Sequence, residues 1–444
     1  MDSPFAESRV LVACPDSRPP AYQAVIGLDR AGLLERFLTA FYYKEGGRIA
    51  GLARGLAPAR FARWEGWLNR RRDSEIPSER VRSIWSFDLA LRVESRLSPD
   101  RASIKRAVVR WRTDRFDRQL AAEVARIRPS ALFVFSDVGS EFTLPACCRL
   151  GIPTILSMVH GDVREEREIL AVEESAAPEF FPLYLGDGVL DREELSWLHD
   201  RRLKDIALAD RILVPSEHIR DVLIQHGTEP EKVSVIPYAA DTRRFRPRHQ
   251  DRRSEGCTFL FTGGITQRKG IKYLLEAWRQ VRRPGWKLQL LGGLPKQLGP
   301  LEAYLEDVEL LGRVPHSEVP DRMANADVFV FPSLFEGSAV VTYEALASGL
   351  PCVATPGAGS VVRDGVEGFL VPPRDVAALA ERMKRLGLDA ELRARMGHAA
   401  RARAEEYDWP HYHRAICSVV TSELEARSDG RTRPEERRKA RARR

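Results

Sequence analysis

A chain of 444 residues, 43% hydrophobic and 30% charged, has the length for two ordinary domains with cores of their own and the composition of a soluble globular protein. No run approaches 18 apolar residues, so no membrane-spanning helix is expected; six scattered cysteines without a C-x-x-C pair or zinc-type spacing read as reduced, mostly buried thiols. The net charge of +7 is regional: residues 44–128 hold 21 basic against 11 acidic side chains, residues 427–444 nine against three, and the remainder is acidic.

In chain order, Val10 to Ala13 reads as a first strand, with Asp2 and Glu7 before it where a signal peptide needs positive charge, so a cytoplasmic location is expected. A Pro-rich loop containing Asp16-Ser17-Arg18 follows, then a helix-like run from Gln23 to Thr39. Phe61, Trp64, Trp67 and Leu68 recur at helical spacing among Arg60, Arg63, Arg70, Arg71 and Arg72; the segment suits an anionic membrane interface or packing on the domain's own sheet. Strands are predicted at Leu132–Phe135 and Ile152–Met158, the second leading into His160-Gly161-Asp162. An acidic segment and a long charged helix (Asp187–Ala209) precede a strand ending at Ser216, a helix from about Glu217, and Val233–Pro237. The polar stretch 246–256 has linker composition.

A second set of elements begins with the strand Thr258–Thr262, the turn Gly263-Gly264 and a helix from about Gly270 to Val281, with Arg268 and Lys269 at its start. Lys287–Gly293 and the end of Val308–Pro315 give two more strand-turn units. Val328–Pro332 is a short β-branched and aromatic strand, Val340 to Leu346 carries helical spacing until Gly349 and Pro351 stop it, and Leu350–Ala354 is a strand again. Strand, turn, helix, strand is the parallel crossover of a doubly wound sheet, whose ligands sit at strand C-termini. Helices at Val376–Met383, Leu392–Glu406 and Trp409–Leu424 precede a basic tail without large apolar residues, expected to be disordered. Each tail cation near an anionic lipid surface is worth roughly 1 kcal/mol; no aromatic interleaving points to specific nucleic-acid binding.

Glu336 and Glu344 flank the start of the helix after Val328–Pro332. Helical rise puts them on the order of 12 Å apart, beyond the roughly 5 to 9.5 Å of paired glycosidase carboxylates, so separate tasks are expected. The N–H groups of Gly337, Ser338 and Ala339 lie between them at a helix start, where amides lack internal partners and attract anions. A ligand meeting both acids and those amides would be a nucleotide-sugar; the plainer alternative is that both acids are solvated or cap the helix.

Glu336, seven residues, Glu344, then ALASGLP and Gly365-Val366-Glu367-Gly368, resembles the donor-site signature of the retaining family 4 glycosyltransferases, which have the α/β GT-B fold of two Rossmann-like, doubly wound parallel-sheet domains facing a central cleft. Lys269-Gly270 matches the family's K-G, and Ile236-Pro237-Tyr238-Ala239-Ala240-Asp241 its hinge, with Tyr and Ala in place of Asn and Gly. The resemblance implies domains at 1–245 (acceptor side) and 257–408 (donor side) joined by the linker 246–256, a helix 409–426 crossing back, and the tail 427–444. It implies that Glu336 and His160 meet the donor sugar and Glu344 the ribose. Gly263, Gly264, Arg268, Lys269 and the amides of 337–339 would meet the diphosphate, and Arg313 and Val314 the base, with His160, Glu336 and Lys269 carrying the catalysis. The implied partners are a nucleotide-sugar donor and a glycan or glycolipid acceptor, with an anionic membrane surface as a further partner. No cofactor is implied, and since the chain has no Asp-x-Asp, no metal is expected. Two departures stand out: Gly264 occupies the place of a customary Arg, and the first loop lacks a Gly pair. They keep open a non-catalytic nucleotide-sugar-binding protein, and a nucleotide-sugar epimerase of the same fold is the other alternative.

Overall fold

The computed structural model describes residues 9–16, 19–44, 68, 71–84, 102–185, 192–247, 256–295 and 298–428. The basic segment around Trp64 and Trp67 and the tail from 429 lie outside the described residues. Seven parallel strands form the first sheet: β1 (Val10–Ala13), β2 (Leu34–Thr39), β3 (Val81–Ser83), β4 (Ala131–Phe135), β5 (Thr154–Ser157), β6 (Arg211–Val214) and β7 (Val233–Val235), in the order β3-β2-β1-β4-β5-β6-β7. Six form the second: β8 (Cys257–Thr262), β9 (Trp286–Leu291), β10 (Val308–Gly312), β11 (Val328–Phe331), β12 (Cys352–Ala354) and β13 (Gly368–Leu370), in the order β10-β9-β8-β11-β12-β13. Strands such as β1, β4, β8 and β11 are buried along their whole length, as expected when helices cover both faces of a parallel sheet. This is the GT-B arrangement.

The helices are α1 (Pro19–Arg30), α2 (Ala102–Ile127), α3 (Thr143–Leu150), α4 (Val163–Ala176), α5 (Arg192–Leu208) and α6 (Glu217–Gln225) around the first sheet. Around the second lie α7 (Ile271–Val281), α8 (Val319–Ala324), α9 (Val340–Ala347), α10 (Val376–Leu388) and α11 (Ala390–Glu406), followed by α12 (Trp409–Ser428). The run expected as one helix from Gln23 to Thr39 is instead α1, a turn at Ala31-Gly32, and β2. Leu33, Leu34, Phe37 and Leu38 are all buried, and a short apolar run fits a central strand as readily as a helix. Pro19 and Pro20 open α1 rather than a loop, a place where their missing N–H groups go unmissed.

α12 lies along α1 of the first domain. Tyr412 OH donates to the Pro20 carbonyl at 3.3 Å, His413 Nε2 pairs with Gln23 Oε1 at 2.7 Å, and Ile416 and Val420 are buried. Arg211, at the start of β6, bonds Glu423 near the far end of the same helix at 2.7 Å. In each sheet the strand order reverses once, between β1 and β4 and between β8 and β11. Those reversals leave crevices at the strand C-termini, and the second crevice holds the densest set of charged groups predicted from the sequence.

Candidate donor site at the reversal of the second sheet

The loop after β8 runs through Gly263 and Gly264 into a single 3-10 turn, Gln267–Lys269, and then α7. Gly270 joins turn to helix at φ +70, and a Cβ there would overlap the Pro332 carbonyl. That close approach presses the turn onto the end of β11 and delivers Lys269 to the loop that carries Glu336. Lys269 Nζ bonds Glu336 Oε1 at 2.6 Å, and an Arg268 guanidinium nitrogen lies 3.7 Å from the same oxygen. Oε2 of Glu336 takes no hydrogen bond among the described residues. Burial pushes the Glu336 carboxyl up, but Arg268 and Lys269 outweigh it and hold it below its ordinary value. Burial pulls the Lys269 ammonium below the usual lysine range, Arg268 adds to this, and Glu336 offsets only part. The pair does not share its charge evenly: one carboxylate faces two cations, so positive charge is left over in a nearly enclosed site.

Around this group the predicted residues divide. Gly263 lies against the Lys269 side chain, whereas Gly264 meets only Thr266. The Gly337 and Ser338 amides donate to no acceptor among the described residues. The Ala339 amide, expected to be free, donates to the Ala358 carbonyl at 3.0 Å, because α9 starts only at Val340 and the preceding loop doubles back onto 355–359. Glu336 is therefore on a loop, four residues before the helix, and helical rise does not set its distance from Glu344. Glu344 is buried in α9, its Oε1 bonded to His316 Nε2 at 3.0 Å. Arg313 crosses the Gly293 backbone at the ends of β9 and β10 and is exposed, with Val314 half-buried beside it. Neither forms a hydrogen bond or ion pair with the Lys269–Glu336 group among the described residues.

His160 approaches from the first domain, just past β5. A Cβ on Gly161 would overlap the Phe335 ring, and one on Gly337 would overlap the Val159 carbonyl, so the two loops touch across the cleft. His160 Nδ1 pairs with the Gly161 carbonyl at 2.9 Å, fixing a proton there; Nε2 is buried, makes no hydrogen bond among the described residues, and lies 3.6 Å from Asp137 Oδ1. Asp137, two residues past β4, sits at φ +74, a conformation rare for a non-glycine residue. Arg202 grips both its oxygens, at 2.8 and 3.1 Å. Burial would raise the Asp137 carboxyl, yet Arg202 and His160 hold it far below the ordinary carboxylate value. Behind it, Glu166 accepts from His199 at 3.2 Å, and Asp205 accepts the Asp137 N–H at 2.9 Å and the Ser140 hydroxyl at 2.8 Å. Burial first, then the neighbouring Asp137 charge, pushes Asp205 up to about 7.

Asp137, Tyr184 and His316 escaped the sequence reading. Asp137 had a weak signal, a polar Ser-Asp directly after the apolar strand LFVF. Tyr184, whose buried hydroxyl has no partner among the described residues and whose carbonyl accepts the Arg268 N–H at 3.3 Å, had none. Its place against the Gln267–Lys269 turn of the other domain is purely tertiary.

Comparison with known proteins bears on both halves. Residues 81–244 match the model for Glycosyltransferase Family 4, and residues 256–389 the model for Glycosyl transferases group 1. The chain is 30% identical over 254 residues to a D-inositol 3-phosphate glycosyltransferase of Acidothermus cellulolyticus, covering 51% of this chain and 56% of that protein. It spans little more than half the length of the first curated relatives it matches. Among solved structures, the sucrose-phosphate synthase of Thermosynechococcus elongatus superimposes with a TM-score of 0.66 at 16% identity, over 95% of this chain and 100% of that one. Anabaena HepE in complex with UDP and glucose does so with a TM-score of 0.57 at 16% identity, over 94% and 100%. At these identities the structural likeness is one of fold. The two matched segments thus fall one on each sheet of a GT-B fold, both on glycosyltransferase models.

Proposed function

We propose that this protein transfers a sugar from a nucleoside-diphosphate sugar to a hydroxyl of a glycan or lipid-linked acceptor with retained anomeric configuration, in surface polysaccharide or glycolipid assembly. The observation that carries the reading is the unbalanced charge at the second reversal point: Arg268 and Lys269 against Glu336 alone, beside two amides without acceptors. A diphosphate supplies the missing negative charge. The relatives support the class, and the HepE structure is a complex with UDP and glucose.

In this reading Lys269 and Arg268 hold the diphosphate with the Gly337 and Ser338 amides, Glu336 and His160 orient the sugar, and Glu344 takes the ribose. Arg313 and Val314 border the base. The bond from the anomeric carbon to the leaving phosphate oxygen breaks as the acceptor oxygen bonds that carbon on the same face; the acceptor proton passes to the departing phosphate. Positive groups already aimed at the developing charge lower that barrier without reorganising. The same groups perform the task often given to a divalent metal, so transfer is expected to persist in EDTA, and its abolition by chelation would overturn that part. A lipid-linked acceptor would place the enzyme at the inner membrane face. Flotation with anionic vesicles is then expected to weaken when residues 427–444 are removed and Trp64 and Trp67 replaced.

The decisive test is thermal stabilisation by UDP-, GDP- and ADP-sugars in EDTA. A donor at a hundred times its dissociation constant adds about 2.7 kcal/mol. A shift with one nucleotide class that disappears in Glu344→Ala supports the site. No shift with any member rejects it.

A further inference from the structure

The first domain holds the phosphate-binding turn through one buried carboxylate. Glu173, near the end of α4, has no exposure, and every side chain bonded to its oxygens belongs to the second domain. Its Oε2 accepts from Gln267 Nε2 at 2.6 Å; its Oε1 accepts from the Tyr273 hydroxyl at 2.8 Å and from Arg374 Nε at 2.7 Å. Gln267 is the first residue of the turn that carries Arg268 and Lys269, and its own Oε1 accepts the Lys272 N–H at 3.2 Å. One amide side chain thus ties the turn to α7 on one side and to the opposite domain on the other. Arg374 reaches Glu173 from a backbone at φ +69, strained for a non-glycine residue, and one of its guanidinium nitrogens is buried without a partner among the described residues.

A carboxylate taken out of water must find its compensation within the protein. Here all of it comes from across the cleft. If the domains part, Glu173 returns to water, while Gln267, Tyr273 and Arg374 lose their common acceptor together. The contact can therefore exist only in the closed arrangement, and it sits one residue from the two cations of the candidate donor site.

We propose that Glu173 is a positioning residue that couples domain closure to assembly of the phosphate-binding turn, so that a nucleoside diphosphate binds tightly only to the closed protein. The ligand in this proposal rests on the donor-site reading above; the clasp itself does not. When the competent state is a fraction of the population, apparent affinity falls by that fraction.

The test uses the full chain, with Glu173→Ala and Glu173→Gln, in two measurements. Small-angle scattering without nucleotide is expected to show a larger radius of gyration for Glu173→Ala than for wild type, with Glu173→Gln in between because it keeps an acceptor for Tyr273 and Arg374. Donor kinetics are expected to show KM raised about 10- to 100-fold in Glu173→Ala with kcat within about threefold, since saturating donor restores the closed form; a residue that merely stabilised the fold would not split KM from kcat. Superimposable scattering curves overturn the clasp. An opened protein with donor KM within twofold of wild type overturns the coupling. If wild type itself binds none of UDP, GDP or ADP, the donor reading fails and the coupling with it, while scattering alone still decides the clasp. Should Glu173→Ala not fold, Arg374→Gln against Glu173→Gln carries the same comparison.

Discussion

Lys269 and Arg268 share a single oxygen of Glu336, and that sharing gives the residue-scale expectations their direction. Lys269→Ala removes the cation bonded most closely to Glu336; kcat is expected to fall by about 10²–10³, the scale of losing one preorganised electrostatic donor, with Arg268 preserving weak nucleotide binding. Initial rates and nucleotide titration together check this. Asp205 offers a separate expectation from pH. Its folded value of about 7 lies above the ordinary carboxyl value of about 3.9, so the folded protein binds the extra proton between them. Its contribution to stability is complete below the unfolded value and is lost as pH rises through about 7. Asp205→Asn, a neutral isostere able to accept the Asp137 N–H and donate to Ser140, is expected to match wild type at about pH 3, below the unfolded carboxyl value, and to melt higher at pH 8. Equal melting temperatures at pH 8 would show that Asp205 is ionised without penalty.

Among the elements, α12 has the unusual duty of leaving one domain and packing on the other. Ile416, on its buried face, is 1% exposed. Truncation to Ala is expected to cost about 2–5 kcal/mol, as for other large buried aliphatics, and to appear as an earlier transition of the first domain in urea. How well an element could be read beforehand followed from its punctuation. β11 and β12 lie within two residues of their predicted bounds because Pro332 closes the first short apolar run and Gly349 and Pro351 precede the second, whereas α9 starts at Val340, three residues after the expected Gly337. The stretch from Gln23 to Thr39 holds Gly27 and Gly32 but no proline, and α1 runs straight through Gly27, so its strand half passed for helix. β3 and β13, three residues each, are too short to carry a period.

Across the whole molecule the two domains meet so closely that a single methyl group should part them. The Gly337 carbonyl accepts from Ser216 Oγ at 3.1 Å, and a Cβ on Gly337 would overlap the Val159 backbone. Because backbone cannot turn aside as a long side chain can, Gly337→Ala is expected to hold the cleft open, enlarging the radius of gyration and lowering kcat/KM by about 10²-fold or more. Unchanged scattering and activity would mean that the loops meet less tightly in solution. The sequence by itself determined the two parallel sheets, the crossover that bears Glu336 and Glu344, and the cations before α7, since strand composition, helix stops and motif spacing are local properties of the chain. It did not determine that Ala339 would spend its amide on Ala358, that His316 would cover Glu344, or that Glu173 would find Gln267, Tyr273 and Arg374, 94 to 201 residues further along. Those partnerships arise when separate domains close and desolvate groups that no local pattern relates, so only the tertiary structure decides them.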